Sequence, residues 1–423
     1  MADRFGTSGD DQYEASIVGT DENDRYFGFA GFDFLAPTLG DDILDGGDDS
    51  DVAIYGWFDI FTNGITINNT ASEQNGVAAF TTDKRGFGTD TLIGMENFHG
   101  TNYDDEIYLG YNPDGTYTFD EWGDDLVVAF QGDTDVGNHF VAGPGDDTYV
   151  GSMGEGDLID FEDIYTGSET GVTVLFTGIG SGFATDPWGG TDTFFGIEEI
   201  QGTQQDDTIT TGDGDNGIMG FAGDDTLIAG GGRDDLFGGA GDDTLDGGAG
   251  DRDEARYDDD IEQGGGSGVT VDLAAGIATD GFGDTDTLIG IEDVRGTDSA
   301  DTISGDDGDN TLDGRGGNDF LYGREGRDFL IGGAGDDILD GGDGDEDRVS
   351  YDDDIEHGGG SGVTVDLAAG TATDGFGDTD TLIGIENVRG QTVLTRFPAT
   401  MGTTPSMAGA AMTFFMAARV GIS

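Results

Sequence analysis

Aspartate recurs at every ninth position along two stretches of this chain. From Gly202 the sequence divides without a gap into "GTQQDDTIT", "TGDGDNGIM", "GFAGDDTLI", "AGGGRDDLF" and "GGAGDDTLD". The sixth place of these nonads holds Asp207, Asn216, Asp225, Asp234 and Asp243. A second array starts at Gly296 with "GTDSADTIS", "GDDGDNTLD", "GRGGNDFLY", "GREGRDFLI" and "GGAGDDILD", and its sixth places are Asp301, Asn310, Asp319, Asp328 and Asp337. The nonad after each array departs, with Arg252 and Glu346 in sixth place. Carboxylates held among glycines can ligate a hard cation, or work in pairs as acid and base. Their return in nearly every nonad favours repeated ligation, because a catalytic pair is needed once.

The remaining places of the nonad say what must position those carboxylates. Glycine at the fourth place tolerates positive φ and lets backbone carbonyls come close to a shared point. The last three places, such as "TLI" or "FLY", favour a short strand whose eighth residue faces a core. That eighth place is Ile209, Ile218, Leu227, Leu236 and Leu245, then Ile303, Leu312, Leu321, Leu330 and Leu339. Two turns and two strands make one coil of 18 residues, so Asp225 stacks over Asp243 and Asp319 over Asp337. Carboxylates about 4.8 Å apart repel unless a cation sits between them. Carboxylate and carbonyl oxygens together suit calcium above all. Asn216 and Asn310 lack the charge, so their sites are expected to be weaker or shared.

These nonads resemble the glycine- and aspartate-rich repeats of RTX (hemolysin-type) proteins, whose pattern is GGxGxDxUx. The resemblance implies an all-β fold, a parallel β-roll or β-helix solenoid with Ca2+ in its turns. It also implies secretion by a type I system through a C-terminal signal, hence an extracellular or cell-surface location with that machinery as a partner.

A longer period of 94 residues links Asp258–Gly296 to Asp352–Gly390, two spacers that differ at three positions. Each contains "VTVDL" and "DTLIGIE", which alternate as strands do, and is expected to close a roll. Looser relatives run upstream. "GTDENDRYF", "GFAGFDFLA" and "PTLGDDILD" put Asp24, Asp33 and Asp42 in sixth place; "GTNYDDEIY", "DEWGDDLVV" and "AGPGDDTYV" put Asp105, Asp125 and Asp147 there. The chain therefore divides into four related units, 1–101, 102–201, 202–295 and 296–390, followed by a different tail, 391–423.

Composition closes off other chemistry. Among 423 residues, 90 are acidic and 15 basic, and the formal charge is −75. Such a field repels nucleic acid and anionic membranes and attracts cations. Lys84 is the only lysine, and with no cysteine there is no disulfide or thiolate chemistry. No apolar run is long enough to insert in a membrane. The histidines are His99, His139 and His357, and no HExxH motif joins them, so no enzyme is read here. Trp57, Trp122 and Trp188 sit in unlike contexts and read as packing residues. The function read from the sequence is a calcium-stiffened structural spacer or surface protein that folds on binding calcium. The alternatives are a glycan- or ice-binding module, with cell-surface polysaccharide as partner, and the export module of a larger RTX enzyme or toxin. For the first of these, Thr208, Thr226 and Thr244 form a seventh-place column, which the sister array breaks with Phe320 and Ile338.

The tail, Thr392–Ser423, has no acidic residue and four of the eight methionines. Read one base earlier, codons for the tail can spell the segment Asp298–Phe329, with alanine for Glu325 as the one change. The offset is again 94 residues, and loss of one A from GGC-ACA-GAC yields the Gly390–Gln391 junction. The tail is therefore expected to be an out-of-frame reading of a fifth unit. The nucleotide sequence checks this: its other frame should continue the repeat past Gly390, and a frame that does not removes the explanation.

Overall fold

A nonad with glycines at one end and β-formers at the other has room for one turn and one short strand. The computed structural model repeats that element as an all-β parallel solenoid. It describes residues 170–250, 252–258, 264–344, 346–352 and 362–390, with Asp260, residues 137–152, 156–162 and 394–396, and strand-sized segments between 3 and 129. Asp33, Trp57, Trp122, His357 and most of the tail lie outside the described residues. The chain forms two compact units, Met1–Gly231 and Gly232–Ser423.

In the second unit the predicted coil appears directly. One sheet pairs Thr302–Ser304, Phe320–Tyr322 and Ile338–Asp340 in parallel, with Ile303, Leu321 and Leu339 in register. The other pairs Thr311–Asp313, Phe329–Ile331 and Arg348–Tyr351, with Leu312, Leu330 and Val349 in register. These central side chains are all buried, while their strand neighbours are partly or fully exposed except in Arg348–Tyr351, where Ser350 and Tyr351 are buried too. Each buried Leu or Ile contributes about 1.5–3 kcal/mol, so the core is a file one residue wide per strand.

The spacer does not close the roll. Thr270–Asp272, Ile277–Thr279 and Thr285–Ile289 form an antiparallel meander. Its last strand pairs in parallel with Thr244–Asp246 and its first with Thr302–Ser304, so the ladder runs through it. The reason is geometric: both outer strands of a three-strand meander keep a free edge. The sister meander, residues 364–383, is built the same way. Beyond it, Thr364 pairs with Leu394, whereas its counterpart Thr270 pairs with Thr302. At the 94-residue offset Thr302 maps to Arg396, so the tail strand sits two residues early.

The first unit follows the same plan, with longer coils in its middle. Asp105, Asp125 and Asp147 stand 20 and 22 residues apart, against 18 in the regular arrays. The core of this unit also holds aromatic side chains. Phe140 and Tyr149 are buried with ring centroids 5.9 Å apart, and Phe176 meets Phe194 at 4.9 Å.

The fourth-place glycine is required by the turn. Gly317, Gly326 and Gly335 have φ of 121°, 122° and 137°. A β-carbon on Gly335 would run into the Gly317 carbonyl of the preceding coil. Gly335→Ala should therefore cost about 1–3 kcal/mol, whereas Ala334→Gly beside it should cost under about 1 kcal/mol. Denaturant unfolding of the calcium-treated chain measures both, and equal costs would refute the steric account.

Candidate metal centre

The sixth-place aspartates form columns, one along each edge of the roll. In the second unit the Asp301 amide donates to Asp319 Oδ1 at 2.8 Å, and the Asp319 amide to Asp337 Oδ1 at 2.9 Å. On the other edge the Asn310 amide donates to Asp328 Oδ1 at 2.9 Å. The first unit repeats the contact from Asp24 to Asp42, Asp105 to Asp125, Asp125 to Asp147 and Asp207 to Asp225. Neighbouring carboxylates are thus tied through backbone amides, and all of these side chains are buried. Asp234 and Asp243 are buried as well and belong to the second unit.

Fixing Oδ1 leaves the second oxygen to be accounted for. Asp319, Asp328 and Asp337 each have a buried Oδ2 that accepts no hydrogen bond. The first-place glycine lies against that atom. A β-carbon at Gly314 would collide with Asp319 Oδ2 and stand 3.0 Å from the Gly332 carbonyl oxygen. Carboxylate and carbonyl oxygens therefore converge in the turn, the donor set that calcium takes. Among the described residues no three acidic or imidazole side chains converge as a complete ligand set.

The ends of the arrays differ. Asp207 Oδ2 accepts the Thr203 amide at 2.6 Å, and its Oδ1 accepts Val172 N–H at 2.7 Å. Asp301 is held likewise by Thr297 at 2.7 Å and Val269 at 2.7 Å. Asn310 Nδ2 donates to the Glu292 carbonyl at 2.9 Å, and Asn216 Nδ2 to the Glu198 carbonyl at 3.3 Å. Asp207 and Asp301 thus take protein donors on both oxygens, and the two asparagines are tied through Nδ2.

The columns continue where the sequence reading ended them. Arg252 and Glu346 occupy the counted sixth place, yet Asp253 and Asp347 take the structural one. Asp234 N–H donates to Asp253 Oδ1 at 3.1 Å and Asp328 N–H to Asp347 Oδ1 at 3.0 Å, each across 19 residues. One extra residue per turn shifts the count, and Glu346 takes φ of 87°. Likewise Ala255 and Val349 fill the core place. Beyond them Glu292 and Glu386 accept the amides of Asp253 and Asp347. Asp192, Asp286 and Asp380, inside the spacers, accept the amides of Asp147, Asp243 and Asp337. The triplet Asp-Thr-Leu, shared by Asp225, Asp243, Asp286 and Asp380, was the signal for the last two. His139 Nε2 lies 3.0 Å from Asp160 Oδ2, apart from these columns.

Burial raises these carboxyls first, and neighbouring carboxylates add to it. Asp319 is pushed up to about 9, with Asp337 and Asp301 contributing; Asp328 to about 7, with Asp347; and Asp337 to about 6, with Asp374. A cation in the turn removes this penalty by neutralising the ionised form.

A family model for the RTX calcium-binding nonapeptide repeat, four copies long, matches residues 18–53, 192–220, 219–252, 286–321, 295–330 and 313–346. The chain carries RTX calcium-binding repeats. Two of the RTX matches begin at Asp192 and Asp286, the spacer aspartates that continue the columns. RTX repeats of this kind are a non-catalytic domain type. No curated protein matches the sequence. Among solved structures the chain is similar to the extracellular lipase LipA from Serratia marcescens, at 15% identity and a TM-score of 0.16. That match covers 69% of this chain and 38% of the lipase chain.

The raised carboxyls set a pH dependence. In the metal-free chain the folded state keeps protons that the unfolded state releases above about pH 4. Their stabilising contribution is full below that and is lost as pH climbs through 6 to 9. Strand content without calcium should therefore be higher at pH 4–5 than at pH 8–9, and calcium binding at pH 7 should release protons. Circular dichroism and titration in weak buffer check both; the opposite trend would contradict the buried-carboxylate assignment.

Proposed function

We propose that this chain is a secreted structural spacer or surface module that stiffens by folding around calcium. The observation that carries the reading is the set of buried, partnerless Oδ2 atoms on Asp319, Asp328 and Asp337. Leaving buried charges unpaired is costly, and a hard cation in each turn removes the cost. In this reading the ligands are Asp24, Asp33, Asp42, Asp105, Asp125, Asp147, Asp207, Asn216, Asp225, Asp234, Asp243, Asp301, Asn310, Asp319, Asp328 and Asp337. Asp253 and Asp347 join them. When the site exists only in the folded state, binding free energy becomes folding free energy. A chain with charge −75 would stay loose where calcium is scarce and stiffen outside the cell, after type I export.

A binding module is the second reading. The spacer meanders expose Thr270, Thr279, Thr285 and Thr287 beside Ile277 and Ile289, a mixed surface of hydroxyl and apolar groups. Cell-surface polysaccharide or ice is the ligand that fits it, and the export-module reading places this chain beside an enzyme in a larger protein.

Calcium added to chelated protein should produce cooperative gain of β structure at about 10⁻⁴–10⁻³ M, the range of extracellular calcium modules. Circular dichroism follows it. Spectra that stay the same after exhaustive chelation and after calcium addition would end the proposal.

A further inference from the structure

We propose that Tyr257 and Tyr351 decide where along the columns a cation is taken, by sealing the column carboxylate at each passage from nonads into spacer. Asp286 and Asp380 stand at those passages. Asp380 Oδ1 accepts the Asp337 amide at 3.2 Å, and its Oδ2 accepts the Tyr351 hydroxyl at 2.9 Å. Asp286 Oδ1 accepts the Asp243 amide at 3.2 Å, and its Oδ2 accepts the Tyr257 hydroxyl at 3.1 Å. All four residues are buried to 1 or 2% exposure.

One column carries the contrast from end to end. Asp301, Asp319, Asp337 and Asp380 follow one another through backbone amides. The two interior carboxylates, Asp319 and Asp337, each have a buried Oδ2 that accepts no hydrogen bond. Asp380 has a protein donor on each oxygen instead. A carboxylate met by donors on both sides has its charge answered without an ion, so the cation goes to the open oxygens of the interior.

The seal also joins the two sheets. Tyr351 ends the strand Arg348–Tyr351 of one sheet, and Asp380 lies in Thr379–Ile383 of the other. Tyr257 follows Glu254–Arg256, and Asp286 lies in Thr285–Ile289, in the same arrangement. The hydroxyl therefore ties across the roll what the amides tie along it.

The first unit separates the ring from its hydroxyl. Tyr257 N–H donates to the Arg295 carbonyl at 2.9 Å, and Phe161 N–H donates to the Gln201 carbonyl at 3.0 Å. Arg295 and Gln201 each precede the Gly-Thr pair that opens an array, so Phe161 holds the tyrosine's place. It is fully buried and has no hydroxyl to donate. The fold thus accepts the ring alone, and a Tyr→Phe substitution removes the seal while keeping the packing.

The inference rests on the calcium reading, and the test separates the two. In the calcium-treated chain, Tyr351→Phe should raise the unfolded-to-folded ratio at a fixed urea concentration about tenfold, the worth of one hydrogen bond to a charged group. In an Asp380→Ala background the same substitution should change nothing. An unchanged ratio in Tyr351→Phe, or equal changes in both backgrounds, would overturn the seal. Equilibrium dialysis then counts the ions. Asp286→Asn and Asp380→Asn should bind as much calcium as the unsubstituted chain, and Asp319→Asn should bind less. Lost ions in the Asp286 and Asp380 variants would equally overturn the proposal. If Asp319→Asn loses none, the calcium reading falls, and the urea cycle still decides the seal. Should the aspartate variants fail to fold, Tyr257→Phe and Tyr351→Phe decide it alone through the urea ratio.

Discussion

The structure depends on a carboxylate with one oxygen tied and the other open. A backbone amide from the neighbouring coil holds Oδ1 of each column aspartate, which fixes the side chain and the coil-to-coil register together. Because the tie is made to Oδ1, Oδ2 is left in a buried turn. A buried anion without partners opposes folding. The same bond that orders the stack thus makes it conditional on something that neutralises the stack. In the regular nonads only a single file of Leu, Ile and Val stands against this cost.

The repeat period made the core and most of the columns legible. Leu312, Leu321 and Leu330 were read from spacing alone, as were Asp319 and Asp337, because both files recur at the same interval. What escaped was whatever broke the interval while keeping the geometry. At Asp253 and Asp347 one inserted residue displaces the count, but the carboxylate still reaches the amide of the previous coil. At Asp286 and Asp380 the column resumes after 43 residues, a gap that no nonad count bridges. Pairing through the meander restores the register, and pairing is a property of the folded chain.

Chemical identity was less legible than position. Asp207 and Asp301 occupy the same place as Asp319, yet Thr203 and Thr297 satisfy both of their oxygens. The threonine follows the opening glycine of each array, where later nonads have Gly, Arg, Phe221 or Asp306. A single residue type four positions upstream therefore separates a carboxylate sealed by protein donors from one left open.

The protein also neutralises acid in a second way, on the outside of the roll. Arg315 and Arg324 occupy second places that glycine fills in other nonads, and both accept left-handed backbone, with φ of 60° and 82°. That conformation is unfavourable for a residue with a β-carbon. In return Arg315 reaches Asp258 at 2.8 Å, where Arg256 also binds at 2.8 Å, and Arg324 reaches Asp272 at 2.8 Å. Burial alone would raise Asp258, but the hydrogen bond and charge of Arg256, aided by Arg315, bring it below the usual carboxylate range. Asp319, buried among carboxylates, moves the other way. The two residues mark the division of labour in the fold. Arginine pins the spacer to the nonads with a partner the chain itself supplies, while in the turns Oδ2 of Asp319, Asp328 and Asp337 accepts no hydrogen bond.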